Sequence, residues 1–301
     1  MTERIVRLDY FRIILSLLVI TLHVQPLLGE DSLAGWLVSN GVARIAVPCF
    51  FIISGYFIHQ KLEDKKALKR YLLHILIVYM VWSAIYFPIY FQAVAPRSLI
   101  TFAFMGYYHL WFLPALILGV LILFFLGKFI SNKEIILLSS FVLYLIGYIM
   151  ETKGMYYRWF CNGVFFGYPF IVIGYYIRGR NIVDTAKPIY VYILLAIGLA
   201  GLFIQSYLDY EEEIYRNMLA SLIFLCPSLF MLIARNAKPL PDKGYYAKTA
   251  SGIYYIHILV LTVIVPLAQT YNIYKYPVIA IISIVLSIFI IFVNKRIKIF
   301  L

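Results

Sequence analysis

Apolar runs long enough to cross a lipid bilayer recur along the whole of this 301-residue chain. A helix needs about 20 predominantly apolar residues to span the roughly 30 Å hydrocarbon core. Hydrophobic residues make up 63% of the chain and charged residues only 13%, a balance that a water-soluble globule of this length cannot bury. The sequence therefore predicts an all-α integral membrane protein with about ten transmembrane helices, at 8–28, 39–58, 71–92, 108–127, 134–150, 161–178, 188–206, 215–234, 249–269 and 276–294.

The basic residues indicate a topology. With the N-terminus placed in the cytoplasm, the inner segments hold 19 of the 26 Lys and Arg residues and the outer loops hold five. Lys and Arg collect in cytoplasmic loops, so this alternation favours an even number of spans with both termini cytoplasmic. Topology also explains the formal net charge of +12, which is therefore no argument for nucleic-acid binding. The outer loops are acidic, notably at 30–32 and 209–213, and fit a neutral ligand better than a strongly anionic one.

Short linkers and the lack of a fixed-period repeat predict one transmembrane domain over residues 1–301. The first span is long and lacks a small-residue cleavage site, so we expect it to be retained. Cys49, Cys161 and Cys226 fall within predicted spans and have no metal-ligand spacing. We therefore expect them to be packing residues and expect no metal site.

The first predicted span carries two side chains that are costly in hydrocarbon, Arg12 and His23. Eleven residues at 100° each place them within about 20° of one another around a helix and roughly 16 Å apart along its axis. For Arg12, a side chain that reaches back to the headgroups is an equal alternative to a functional role. For His23, the alternative to a site residue is a histidine hydrogen-bonded to a neighbouring helix.

Three further stretches place polar groups in predicted spans. In "NGVARIAVPCFFIISGYF", Arg44 lies about a turn inside the outer boundary, and Pro48 with Ser54 and the following glycine can interrupt the helix. In "YYHLWFLPALILG", His109 lies in an aromatic belt, where a partly hydrated interfacial histidine is the alternative to a site residue. In "SGIYYIHILV", His257 is either a helix-packing hydrogen bonder or a site residue.

Together these stretches resemble the acyltransferase 3 family, bacterial multi-span proteins that O-acylate carbohydrates and other cell-surface molecules. "LDYFRIILSLLVITLH" is similar to the family's Arg, ten residues, His signature, and "RIAVPCFFIISGYF" to its second-helix motif. "YHLWFLPALILG" and "GVFFGYPFIVIGYYI" are similar to later motifs. Some members that this chain resembles are membrane halves of VanT-type serine racemases, for which serine uptake is the proposed role. No racemase domain is expected in the chain itself.

The resemblance implies an acyltransferase that takes acetyl-CoA, or another acyl-CoA, as co-substrate. His23 would be the catalytic imidazole, as base or as acyl carrier, and Arg12 would bind the donor, polarise the thioester or stabilise the oxyanion. Members of the family usually carry an Arg-x-x-Arg pair at the start of the third helix, where this chain reads "KKALKRYLLHIL". That stretch keeps the positive charge without the spacing, and its donor-binding candidates are Lys66, Lys69, Arg70 and His74.

On the outer side, Arg44 and the aromatic belt are candidates for an acceptor pocket, because aromatic faces pack on sugar rings and cations donate to hydroxyl oxygens. The expected function is O-acetyl transfer to a hydroxyl of a surface glycan or similar envelope molecule, in the bacterial cytoplasmic membrane. The alternative is a transporter or binding protein for a small amino acid such as serine, in which Arg44 would bind the carboxylate of the amino acid. The sequence leaves a homodimer open. The acceptor-binding candidates are Arg44, Tyr108, His109 and Trp111.

Overall fold

The computed structural model describes residues 5–25, 27–29, 31–91, 106–236, 244–267 and 272–301. Across those ranges the regular structure is helical and contains no strand, which confirms the predicted all-helical class. The α-helices are α1 Val6–His23, α2 Leu33–Trp36, α3 Ala46–Leu62, α4 Lys65–Phe91, α5 Phe112–Phe129, α6 Lys133–Thr152, α7 Tyr168–Gly179, α8 Ile182–Thr185, α9 Pro188–Glu211, α10 Leu222–Ala234, α11 Tyr245–Leu267 and α12 Asn272–Ile297.

Six helical stretches in the described ranges are long and apolar enough to cross a membrane. Helices also occupy the other predicted spans, but α10 is only 13 residues long and α1 carries three charged side chains within its 18 residues. The predicted count of ten spans is therefore not confirmed, and the cytoplasmic placement of both termini stays a prediction. The ends of the predicted spans 71–92 and 249–269 lie outside the described residues. The six stretches are Leu33–Leu62, Lys65–Tyr90, Tyr108–Phe129, Lys133–Thr152, Pro188–Glu211 and Lys275–Ile297.

The stretch Leu33–Leu62 is a broken helix. After α2 the backbone forms a π-helical turn at Leu37–Gly41 and a 3₁₀ turn at Val42–Ile45 before α3 begins. The sequence suggested an interruption around Pro48 and Ser54, but the break lies upstream and α3 continues through both residues. Pro48 lies in the first turn of α3, directly after the 3₁₀ turn, a position at which proline is tolerated.

The chain forms two compact units, and the predicted single domain over residues 1–301 stays a prediction. The first unit comprises residues 1–50, 183–299 and 301, and the second comprises residues 51–182 and 300. In the first unit α1 packs on α11, α11 packs on α12, and α9 packs on α10. The hydroxyl of Ser16 donates to the carbonyl oxygen of Ala250 at 2.8 Å, which fixes α1 against α11.

In the second unit, α3 and α7 cross at a pair of facing glycines. A Cβ atom on Gly55 would overlap the carbonyl oxygen of Ile171, and a Cβ atom on Gly174 would overlap the carbonyl oxygen of Ile52. Each helix therefore approaches the backbone of the other where only a residue without a side chain fits. Small residues permit such close helix packing in membranes, where dispersion contacts rather than the hydrophobic effect hold helices together. The crossing fixes the register of α3 against α7.

We expect Gly55→Ala and Gly174→Ala each to destabilise the protein by about 1–3 kcal/mol, because the added methyl group must push two backbones apart. The apparent melting temperature in detergent measures the effect. Gly127→Ala is the matched control, because a Cβ atom at Gly127 on α5 meets nothing within 4 Å. A melting temperature for Gly174→Ala equal to that of Gly127→Ala would contradict the close crossing.

Candidate functional site

Two histidine rings meet in the interior of the first unit. His23 is the last residue of α1, and His257 lies in the middle of α11. Their ring centroids are 5.3 Å apart, with an angle of 39° between the planes. His257 is fully buried and His23 is half-buried. The packing of α1 on α11 thus pairs two imidazoles that are 234 positions apart in the sequence.

The helix backbone fixes the orientation of His257. Its Nδ1 lies 2.7 Å from the carbonyl oxygen of Tyr254 and 3.3 Å from that of Ile253. A carbonyl oxygen can only accept, so Nδ1 carries the proton and Nε2 is the acceptor nitrogen of the neutral ring. His257 therefore presents a defined nitrogen and a fixed plane beside His23.

Arg44 approaches the same region from the broken helix. It lies in the 3₁₀ turn Val42–Ile45, and its guanidinium donates to the side-chain oxygens of Asn40 at 3.2 Å and Asn217 at 3.1 Å. Gln25, two residues after His23, donates to the same oxygen of Asn40 at 3.1 Å. Arg44 and His257 both interact electrostatically with His23. These contacts join the end of α1, the helix break and the segment after α9 into one polar region.

Arg12 forms an ion pair with Asp9, one turn earlier on α1, at 2.7 Å. The carboxylate side chain is 3% exposed and the guanidinium 23% exposed. An acidic residue three positions before Arg12 was the available signal in the sequence, because residues at i and i+3 share a helix face. Arg12 is therefore held by a carboxylate as well as lying near the end of its helix.

In the second unit His109 is buried among aromatic rings, with Tyr86 edge-on at 5.2 Å. Trp111 packs against Phe166 at 5.8 Å, whereas Tyr108 is 59% exposed. Arg44 belongs to the first unit. The predicted acceptor pocket built from all four candidates therefore stays a prediction.

The predicted donor-binding residues lie on the first three turns of α4. Asp64 caps this helix by accepting from the backbone N–H of Lys66 at 2.8 Å. Ser54, the other predicted polar residue of the spans, lies on α3 next to Gly55. A donor role for the four basic side chains stays a prediction. They are all exposed: Lys66, Lys69, Arg70 and His74.

A second basic group, which sequence reasoning did not single out, gathers in the second unit where α3 and α7 end and α6 begins. We call His59, Lys133 and Arg178 the basic cluster. The ring of His59 lies 4.9 Å from that of Tyr175, and the guanidinium of Arg178 donates to the hydroxyl of Tyr56 at 2.9 Å. Lys133, the acidic Glu63 and Arg178 all interact electrostatically with His59. Three cationic or titratable groups thus converge beside aromatic rings.

A pocket of about 580 Å³ lies in the first unit, and its lining includes Asn40, which accepts a hydrogen bond from Arg44. An ion pair between Asp209 and Arg216, at 2.7 Å, holds the segment after α9 beside it. The pocket is lined by Gln25, Leu27, Gly29, Asp31, Ser32, Trp36, Ser39, Asn40, Tyr210, Glu211, Glu213 and Tyr215. Within the described ranges no group of three His, Cys, Asp or Glu side chains could hold a metal ion.

The fold and this polar interior define a multi-pass helical membrane protein with an imidazole pair inside one of its compact units. Residues 5–293 match the acyltransferase domain family Acyl_transf_3, and the chain belongs to that family.

The chain is also similar to longer proteins that are named racemases. It is 30% identical over 196 residues to an amino-acid racemase of Enterococcus faecalis, a match that covers 56% of this chain and 27% of the racemase. A second amino-acid racemase of Enterococcus faecalis is 25% identical over 296 residues, covering 88% of this chain and 42% of the racemase. A serine/alanine racemase of Enterococcus gallinarum is 28% identical over 229 residues, covering 66% and 32%. The chain spans less than half the length of these relatives. No solved structure matches it significantly.

We expect Asp209→Asn to lower the free energy of unfolding by about 3 kcal/mol, the low end for breaking a buried ion pair, because Arg216 loses its carboxylate while 17% exposed. Thermal unfolding in detergent measures this loss. The double variant Asp209→Asn with Arg216→Gln is the control and should lose less than the sum of the two single variants. Additive losses would mean that the pair does not stabilise the segment after α9.

Proposed function

We propose that this chain is a membrane O-acyltransferase that moves an acyl group from acyl-CoA, most simply acetyl-CoA, to a hydroxyl of a cell-surface carbohydrate or similar envelope molecule. The observation that carries the proposal is the pairing of His23 with His257 at 5.3 Å beside Arg44. Membership of the acyltransferase family supports the reaction class. Its expected location is the bacterial cytoplasmic membrane.

The imidazole pair suits a hydroxyl acceptor. One nitrogen of His23 would take the acceptor's proton as its oxygen attacks the thioester carbonyl. The new C–O bond forms and the C–S bond breaks, and the departing thiolate takes the proton back from the imidazolium. His257, with its proton fixed on Nδ1, would act as a positioning residue that orients the His23 ring.

The oxyanion that forms on the thioester carbonyl requires a positive charge or hydrogen-bond donors nearby. The side-chain oxygens of Asn40 and Asn217 orient the guanidinium of Arg44, and the carboxylate of Asp209 also interacts with it electrostatically. Arg12 is paired with a carboxylate, so its charge is already compensated at close range. We assign oxyanion stabilisation to Arg44 because it interacts electrostatically with His23, and assign Arg12 a donor contact nearer the other end of α1.

The donor carries phosphate groups and an adenine ring, which cations and aromatic faces bind. The basic cluster offers both kinds of group, because Tyr175 and Tyr56 pack against His59 and Arg178. The charge pattern predicts that this end of the second unit faces the cytoplasm, where acyl-CoA is found. The cluster is thus a better-ordered candidate for the donor than the four exposed side chains of α4.

We expect His23→Gln to lower the rate of acetyl-CoA hydrolysis, with water as acceptor, by about 10²–10⁴-fold while donor binding stays unchanged. A coupled thiol assay on purified protein in detergent measures the rate. Thr262→Val is the control, because Thr262 lies on the same helix as His257 and donates within it to the carbonyl oxygen of Ile258. Full activity in His23→Gln would remove the general-base role.

We expect Lys133→Gln with Arg178→Gln to weaken acetyl-CoA binding about tenfold and to flatten its dependence on salt, because two charge-assisted contacts with phosphate are lost. Calorimetric titration measures the dissociation constant. The triple variant Lys66→Gln, Lys69→Gln and Arg70→Gln tests the donor site implied by the resemblance, and Lys153→Gln is the exposed control. If only the triple variant loses affinity, the donor binds at α4 and not at the basic cluster.

A second candidate function is uptake or binding of a small amino acid such as serine. The similarity to proteins named amino-acid and serine/alanine racemases favours it. Arg44 would then bind the carboxylate of the amino acid rather than an oxyanion. Labelled serine uptake into liposomes containing the purified chain, together with no detectable acetyl-CoA binding, would favour this function over acyl transfer.

A further inference from the structure

We propose that the pocket beside Arg44 binds a small ligand that carries an ammonium group together with hydroxyl groups. The inference names the chemical class of the acceptor, and rests on the proposed function only for calling that ligand an acceptor. It is drawn from a cavity of about 580 Å³ in the first unit, large enough for a small polar ligand.

The lining of the pocket is acidic. Three acidic residues, Asp31, Glu211 and Glu213, line the pocket, and no Lys or Arg is among the described residues of its lining. This is unusual in a chain with 26 basic and 14 acidic residues. The nearby Arg216 is bonded to Asp209 at 2.7 Å, so its charge is compensated. The field in the pocket therefore favours a cation.

Three aromatic side chains also line the pocket. Trp36 lies 4.7 Å from Tyr215 and 5.8 Å from Tyr210, measured between ring centroids. Hydrogen bonds fix two of these three rings, those of Trp36 and Tyr210. The indole N–H of Trp36 donates to the carbonyl oxygen of Ser206 at 3.0 Å, and the hydroxyl of Tyr210 donates to that of Asp31 at 2.9 Å. Preformed aromatic faces with carboxylates beside them are what an organic ammonium ion binds.

The floor of the pocket is formed by buried polar residues. Ser39 and Asn40 are 2% and 4% exposed, so the polar groups at the base are well enclosed. The side-chain oxygen of Asn40 accepts from both Gln25 and Arg44. Arg44 interacts electrostatically with His23, so the pocket floor is linked to the imidazole pair. The hydroxyl of Ser39 donates to the carbonyl oxygen of Gly35 and accepts from the amide nitrogen of Asn40. That amide nitrogen has a second proton and the hydroxyl oxygen a second lone pair, which ligand hydroxyls can use. An amino alcohol or amino sugar has both features.

Choline and its uncharged isostere 3,3-dimethylbutan-1-ol test the charge directly, because the two molecules share one shape and one hydroxyl. Calorimetric titration of the whole chain in detergent at low ionic strength should give a dissociation constant for choline about tenfold or more below that of the neutral alcohol. Added salt should weaken choline alone. Equal binding of the two, or no choline binding at millimolar concentration, would overturn the proposal.

The run of acidic residues after α9 supplies matched variants. Glu211→Gln with Glu213→Gln should weaken choline about tenfold and leave the neutral alcohol unchanged, because each change keeps the side-chain shape. Glu212→Gln should change neither, since Glu212 does not line the pocket. An unchanged affinity for choline in the double variant, with its melting temperature intact, would place the cation elsewhere.

These experiments distinguish failure of the ammonium-binding proposal from failure of the transferase proposal. Choline binding with no acetyl-CoA turnover would keep the pocket and remove the transferase. Turnover that depends on His23, without choline binding, would keep the transferase and remove the ammonium ligand.

Discussion

The lack of water inside a bilayer is the constraint on which the polar interior of this protein depends. A charge or imidazole moved into hydrocarbon must find partners within the chain. Asp9 supplies one for Arg12, the side-chain oxygens of Asn40 and Asn217 supply two for Arg44, and a main-chain carbonyl supplies one for His257. The kinds of partner differ. A carboxylate forms an ion pair with the guanidinium of Arg12, whereas two amide oxygens orient that of Arg44. The two arginines of this unit therefore lie in different polar surroundings.

Much of the helical architecture could be predicted from the sequence, because apolar runs of bilayer length leave the backbone few alternatives. The placement of Arg12 and His23 on one helix followed from the apolar run that contains both residues. The partnership of His23 with His257 could not be predicted, because 234 residues separate them and helix periodicity says nothing about which helices pack together. The sequence also did not distinguish the exposed basic residues from those that pack against aromatic rings. Positive-inside topology explains Lys66 as well as Lys133, so only packing separates a solvated side chain from one held against an aromatic ring.

The position of the helix break shows why the same residue types can mislead. Pro48 and Gly55 both weaken helices, and the sequence suggested an interruption near them. In the structure Gly55 instead permits a close helix crossing, while the break falls at Leu37–Gly41 and Val42–Ile45. Turns of π and 3₁₀ geometry within a helix are frequent at functional sites, because they change the direction of side chains and of backbone groups. Here the altered turn carries Arg44, so local geometry that costs helix stability positions the group assigned to the oxyanion.

The hydrogen bond from His257 to its own helix has a spectroscopic consequence. The acceptors, the carbonyl oxygens of Ile253 and Tyr254, also accept the main-chain hydrogen bonds of α11, so the ring and the main chain share the same oxygen atoms. Any bending of α11 at this turn alters the strength of both bonds together. The nitrogen-15 chemical shifts of the His257 ring therefore report bending of α11. Isotope labelling of histidine would allow ligand-induced bending to be observed in the intact membrane protein.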